Sequence, residues 1–412
     1  MVKKRGQNNQ NNNIDQIFDS FINQTIFRNK LILQTNYTPE TIPHREKQIT
    51  QVASIIAPSL RMEKPSNLFI YGLTGTGKTL VINYVKSELL KRASKQKIPL
   101  LIPYINCKLR KVADTEYRIL AELLNKLGEK VPATGLPTDK LYHKFIELID
   151  SKKQIIIIIL DEIDQAVKKI GDDFLYSFTR LSSELNKAQI SIIGISNDLK
   201  FIDVLDPRVK SSLSEEEILF PPYNALQLQD ILKKRAKEAF KPKIVGEGVI
   251  EKCSAYAARE HGDARRALDL LRIAGEVVER DSKNKITLEY IDKAKERIES
   301  DKILMAVETQ PKQFQITLLA ILNLYKKLKD KNSPIFTGDI YNVYRDFCHK
   351  TKTECLTQRR ISDIIAEFDM SGVINARVIS KGRYGRCREI RIDHPSNLIE
   401  KINRLLMESL NL

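Results

Sequence analysis

Nothing in this sequence is spaced to hold a zinc ion, to cross a bilayer, or to balance its own positive charge. The five cysteines stand at 107, 253, 348, 355 and 387, and the six residues between Cys348 and Cys355 fit no common zinc spacing. They read as reduced and structural. The apolar runs fall far short of the roughly 18 residues a membrane helix needs, and no charged-then-apolar leader opens the chain. The expectation is a soluble, cytoplasmic protein with no membrane partner. Acidic residues are also in deficit, 52 Asp and Glu against 68 Lys and Arg, for a net charge of +16. That balance favours a polyanionic partner, although a solvated lysine-rich surface gives the same total, so the location of the charge has to decide.

What is present begins with length. A chain of 412 residues allows two to three domains with real cores. Residues 1–13, with the tract QNNQNNN, have almost nothing to bury and read as a disordered leader.

The strongest local signal is GLTGTGKT at 72–79, directly behind the apolar run LFIY. Gly72, Gly75 and Gly77 let the backbone curl, so that the N–H groups of Leu73, Thr74 and Thr76 and their neighbours face phosphate oxygens. Lys78 adds a positive charge near the β and γ positions. Thr79 would hold Mg2+ through its hydroxyl, with Leu80 closing the contact set. About eighty residues on, IIIIIL runs into Asp161, Glu162, Ile163 and Asp164. A strand ending in two carboxylates supplies the complement: Asp161 on the metal, Glu162 polarising an attacking water. Together the two motifs imply hydrolysis of ATP to ADP with Mg2+.

From about Ile14 to Pro221, short apolar runs alternate with helical stretches: LFIY, LLIPYIN at 100–106, IIIIIL at 155–160, ISIIGIS at 190–196 and EEILF at 216–220. This alternation predicts an α/β fold with a parallel sheet covered on both faces. After Pro221 and Pro222 the strands stop. Leu228, Ile231, Leu232 and Ala236 recur at helical spacing, and a second helix spans Ala264 to Val278, which predicts a helical lid. From Pro311 on, helices near 312–328, 338–349 and 358–369 precede two strand-like runs around SKGRYGR, the order of a winged helix-turn-helix. In the third helix Thr357 is the N-cap, Gln358, Arg359 and Arg360 offer polar and basic groups to a groove, and Ile361, Ile364, Ile365 and Phe368 form the apolar face. Between Gly372 and Ile392 six cations, Arg377, Lys381, Arg383, Arg386, Arg388 and Arg391, face only Glu389, a charge of +5. With Gly382 and Gly385 around Arg383 and Tyr384, the tip can approach a phosphate or minor groove. The predicted boundaries are a core at 14–222, a lid at 223–305 and a winged-helix domain at 306–412.

Three further residues have possible roles at the nucleotide. Asn197, after the fourth apolar run, could orient the lytic water, though alone it is a turn residue. Arg208, in LDPRVKSSL, lies where it could project toward a neighbouring subunit. Arg265 opens a lid helix behind Gly262 and Asp263. A cation there opposes the helix dipole and wants an anion, which a γ-phosphate would supply.

The ordered set GLTGTGKT, LDEID, ISN, LDPRVKSSL, FPPYNALQLQDILKKR, GDARRALDLL and the basic wing resembles the AAA+ ATPases. Within them it resembles the archaeal origin-recognition and cell-division-control type replication initiators, from about Asp15 to Leu412. That resemblance makes 72–79 Walker A, Asp161 and Glu162 Walker B, Asn197 sensor 1, Arg208 an arginine finger acting in trans, and Arg265 sensor 2. Tyr223 and Arg235 become nucleotide contacts, with His44 and Arg45 in a box lining the adenine side. The stretch Asp172 to Lys187 takes the place of an initiator-specific insertion that reaches DNA, with Arg180 as a candidate contact. Implied partners are double-stranded DNA at a replication origin, the replicative helicase, and a paralogous initiator or second copy, in a nucleoid-associated setting. A nucleotide-gated transcription regulator and an AAA+ motor or clamp-loader subunit are the alternatives.

Overall fold

The computed structural model describes residues 25–35, 37–108, 114–132, 135–213, 215–328, 330, 333–380 and 386–412, with backbone alone at 380 and 386. They fall into two compact units, up to Ile291 and from Asp292 onward.

The first unit is built on strands β1 Leu68–Tyr71, β2 Leu100–Leu101, β3 Tyr104–Asn106, β4 Ile155–Asp161, β5 Gln189–Ser196 and β6 Glu216–Leu219. Their order is β2-β4-β5-β1-β6, with β3 also on β4 and every pairing parallel. All seven residues of β4 are buried, because helices cover both faces. Ile156, Ile158 and Leu160 join the core on one side, and Ile155, Ile157 and Ile159 the core on the other, the period-two alternation of a strand. The run LLIPYIN forms two strands where one was expected. Pro103 has no N–H for the ladder, although its carbonyl still accepts from Ile159 N at 2.9 Å.

This sheet brings the carboxyl ends of β1, β4 and β5 to one level. Tyr71 lies opposite Ser196, and Asp161 opposite both Ile195 and Asn106. Beyond such ends is where open parallel sheets bind ligands. The lid follows as helices Ala225–Ala239, Val249–Arg259 and Ala264–Arg280. The first starts in a reciprocal cap between Asn224 and Gln227. The middle helix was not separated by the sequence pattern.

The second unit contains helices Lys312–Lys327, Thr337–Lys350 and Gln358–Met370, then strands β8 Asn375–Ser380 and β9 Arg386–Arg391 paired antiparallel. This is the expected winged helix-turn-helix, and Thr357 caps the third helix by accepting from Arg360 N. Ile361, Ile364, Ile365 and Phe368 are buried together. Two elements escaped the sequence pattern: β7 Ile335–Phe336, which pairs with β9, and the helix Ser396–Leu410. Among the described residues no helix is long and apolar enough to cross a membrane. All five cysteines are free; three are buried, whereas Cys355 is exposed.

Candidate active site

The P-loop leaves β1 and enters the helix Lys78–Lys95, and its shape requires glycine at two points. Gly75 sits at φ +72° with Asp263 Oδ1 only 1.8 Å from where a Cβ would be, and Gly77 sits at φ +91° under the Tyr223 hydroxyl. Gly75 O accepts from Ala264 N at 3.3 Å, so the lid helix starts against the loop. Lys78 is buried, and its ammonium donates to the carbonyls of Gly72 and Leu73 at 2.7 and 2.8 Å. Thr76, also buried, donates to Leu73 O at 2.8 Å; Thr74 is exposed.

Burial pushes the Lys78 pKa down to about 8, with Asp161 opposing the shift and Arg265 adding to it. The charged lysine therefore costs the folded state stability below pH 8, and that cost fades as the pH rises toward the unfolded value. A bound phosphate would favour the ammonium, so binding above that pH takes up a proton. ATP affinity is expected to be level below about pH 8 and to fall up to ~10-fold per unit above it. Calorimetric titration in buffers of different ionisation enthalpy reads both the affinity and the proton; a level affinity through roughly pH 9.5 would contradict this.

Asp161 is almost wholly engaged. Its Oδ2 accepts from Thr79 Oγ1 at 2.7 Å and from the Tyr104 hydroxyl at 2.6 Å, and its Oδ1 from Glu162 N at 2.9 Å. Burial and the Asp161 charge raise the Tyr104 pKa, which keeps the phenol a donor. Thr79 and Asp161 thus present a hydroxyl and a carboxylate side by side. That donor set fits Mg2+, which takes one or two protein carboxylates plus phosphates and water. Among the described residues no group of three or more His, Cys, Asp and Glu side chains forms another metal cluster.

Glu162 sits at φ 55°, ψ 44° at the start of the helix Ile163–Ile170, a left-handed conformation costly for any residue other than glycine. The turn aims its carboxylate, which lies 3.6 Å from the Lys108 ammonium. Asp164 is buried and accepts from Ser196 Oγ at 3.1 Å and Asn197 N at 3.4 Å, tying the end of β4 to the end of β5. One small cavity is lined by Gly75, Gly77, Lys78, Thr79, Asp161, Glu162, Asn197 and Arg265. The two halves of the sequence motif converge there with Asn197 and Arg265.

A larger cavity of about 590 Å³ adjoins it, sharing Gly75, Gly77, Thr79 and Arg265 and adding Leu80, Tyr223 and Arg235. Arg235 is buried against Tyr37, its guanidinium 4.6 Å from the ring centre, and its Nη1 has no hydrogen-bond partner among the described residues. Of the adjacent pair, Arg265 lines the cavities while Arg266 pairs with Glu260.

Two expected nucleotide contacts are placed elsewhere. Arg45 is buried beneath the P-loop, donating to Thr76 O at 2.9 Å and Pro221 O at 2.5 Å and stacking 3.8 Å from the Tyr223 ring centre. A guanidinium spent on backbone carbonyls supports the loop, and Arg45 lines neither cavity. His44 turns outward to Asp230 at 3.1 Å. Their neighbours Ile42 and Pro43 line the larger cavity instead. Tyr104, Tyr37, Asp164 and Asp263 were not singled out as site residues. Tyr104 and Asp164 carried a signal as residues of strand-end runs and Asp263 as the residue before the lid helix, whereas Tyr37 carried none.

Arg208 lies outside both linings. It is exposed, and Asp206 accepts from its Nε at 3.0 Å and its Nη2 at 3.1 Å. Arg180 is exposed on the helix Asp173–Glu184. In the second unit Gln358, Arg359 and Arg360 are exposed at the start of their helix, with Arg360 3.6 Å from Glu367. Arg391 pairs with Glu389 at 2.7 Å, and Arg388 donates to Ser362 Oγ at 3.4 Å. Lys381, Arg383 and Tyr384 lie outside the described residues, as does the side chain of Arg386.

The parallel sheet, P-loop, paired carboxylates, lid arginine and separate winged helix define an AAA+ ATPase with a C-terminal winged-helix domain. Residues 61–201 match the model of an AAA domain, 229–296 the Cdc6 AAA+ ATPase-type lid domain, and 305–402 the CDC6 C-terminal winged helix domain. The chain belongs to the ORC1-type DNA replication proteins. It is 50% identical over 400 residues to the ORC1-type DNA replication protein of Thermococcus onnurineus, covering 95% of this chain and 94% of the relative. For the Pyrococcus furiosus protein the figures are 51% over 398 residues, 95% and 93%. The structure of the Aeropyrum pernix ORC1 protein in complex with DNA aligns at a TM-score of 0.79 and 42% identity, over 93% of this chain and 97% of that one.

Proposed function

We propose that this chain is an ATP-dependent replication initiator that binds duplex DNA at origins and uses slow ATP hydrolysis as a conformational switch. The observation that carries the reading is the joining, in one chain, of a hydrolytic nucleotide site to a winged helix whose third helix starts with exposed Gln358, Arg359 and Arg360. Its working parts are the core at 14–222, the lid at 223–305 and the winged helix at 306–412. ATP or ADP occupies the two adjoining cavities, its phosphates on the P-loop with Lys78, and Tyr223 and Arg235 on the side of the larger cavity. Thr79 and Asp161 would hold Mg2+, which would neutralise charge on the phosphates, while Glu162 polarises the lytic water, Asn197 orients it, and Arg265 meets the γ-phosphate. Arg208 completes the site of a neighbouring copy or paralogue, so an isolated chain turns over slowly. The DNA-bound assembly recruits the replicative helicase, in the cytoplasm at the nucleoid.

The wing supplies phosphate contacts through Lys381, Arg383, Tyr384 and Arg386, while Arg180 offers a second contact from the ATPase side. Replacing Arg383 and Arg386 together by alanine is expected to weaken duplex binding and flatten its log–log salt dependence by up to ~2 units. Fluorescence anisotropy over a salt series measures the slope. An unchanged affinity and slope would remove the wing from the interface.

A further inference from the structure

The helix Asp173–Glu184 packs beside the segment that carries Arg208, and the contacts between them are specific. Asp172, at the start of this helix, accepts from Asp206 N at 2.7 Å. Asp206 in turn accepts from the backbone N of Arg208 at 2.8 Å as well as from its guanidinium. One turn into the helix stands Tyr176, half-buried, with the Arg208 guanidinium 5.0 Å from its ring centre. The Arg180 guanidinium lies 4.7 Å from the same ring centre. One aromatic ring therefore serves two exposed cations, one the proposed trans-acting arginine and the other the candidate DNA contact of this helix.

We propose that Tyr176 is a positioning residue for Arg208, and that through the shared ring it couples engagement of Arg180 by a DNA phosphate to delivery of Arg208 to a neighbouring copy. This rests on the reading of Arg208 as a finger acting in trans. A long arginine on an exposed helix samples many rotamers, and delivering it costs side-chain entropy. A carboxylate that accepts from two guanidinium nitrogens and a ring that covers the guanidinium restrict those rotamers beforehand. A phosphate that draws Arg180 off the ring changes what Tyr176 offers Arg208, since two like charges then no longer share one ring.

The test is complementation between full-length chains. An Arg208→Ala chain keeps its own hydrolytic residues but gives no finger, whereas a Glu162→Gln chain gives the finger but has lost its water-polarising carboxylate. Hydrolysis by the mixture reports delivery of Arg208. Placing Tyr176→Ala in the Glu162→Gln donor is expected to lower the rescue about two- to fivefold, the range of one exposed cation–π contact. Tyr176→Phe in the donor should restore it, and Tyr176→Ala in the Arg208→Ala acceptor should leave it unchanged. Retained ATP binding by the Tyr176→Ala donor separates this result from misfolding. Sheared genomic DNA of the source organism is expected to shift the rescue with the parent donor. That shift should be lost with Tyr176→Ala or Arg180→Ala and kept with Tyr176→Phe. If the mixture shows no rescue at all, the trans-finger reading fails and the proposal with it. If rescue occurs but ignores Tyr176→Ala in the donor, the positioning role alone is overturned. A rescue that DNA leaves unmoved, or a shift that survives both Ala variants, overturns the coupling.

Discussion

Arg208→Ala is expected to lower ATP turnover in assembled protein by ~10³-fold or more, the usual worth of an arginine supplied in trans to phosphoryl transfer, while ATP and ADP affinities stay close to those of the parent. The reason is positional. Arg208 lines neither cavity, its guanidinium is exposed and held by Asp206, and it can add no ground-state contact to the nucleotide of its own chain. Its charge would act on the γ-phosphate only when another chain brings it there, at the stage where negative charge spreads over the transferring group. Steady-state hydrolysis across a range of protein concentrations, beside binding of a fluorescent nucleotide, separates the two effects. A loss of affinity without a loss of turnover would place Arg208 in its own site and contradict the assignment.

The second large effect belongs to Glu162. Glu162→Gln keeps the size and the left-handed turn but removes the carboxylate that would polarise water, and general-base contributions run at about 10²- to 10⁴-fold. Hydrolysis is expected to fall by that range with ATP retained, because the phosphate contacts of Lys78 and the P-loop are independent of it. Single-turnover hydrolysis of pre-bound ATP measures the step directly. Equal single-turnover rates in parent and variant would move the water-activating role to another group. The Lys108 ammonium stands 3.6 Å from that carboxylate.

Most of the fold was legible because each part announces itself in a different period. β4 reads as a buried strand from six consecutive aliphatic residues, Gln358–Met370 as a helix from its Thr357 cap and four apolar residues at helical spacing, and both appear so in the structure. The parts that were missed lack such a pattern. β7 has only two residues and exists because β9 offers it an edge, and Pro103 interrupts a run whose apolar character alone predicts continuity.

Within the site, the shape of the loop at 72–79 was legible because a tight backbone turn demands glycine at fixed spacing. The residues that hold the site's side chains were not. Tyr104 reaches Asp161 only because β3 lies beside β4, a fact of strand order that no local pattern encodes. Arg45 illustrates the opposite failure. It lies beside the P-loop, but whether a guanidinium faces a cavity or the carbonyls of Thr76 and Pro221 is settled by tertiary packing. The basic wing was visible as net charge, while the pairing of Arg391 with Glu389, two residues apart on β9, was not.

The measurement that bears most directly on the initiator reading is footprinting of the full chain on its own genome's replication origins and on random duplexes, in ATP and in ADP. Protection confined to discrete elements within origins, with an extent that depends on the nucleotide, is the predicted result. Protection at promoters alone, or weak uniform protection of every duplex, would contradict it, the first pointing to a transcription regulator and the second to a translocating motor.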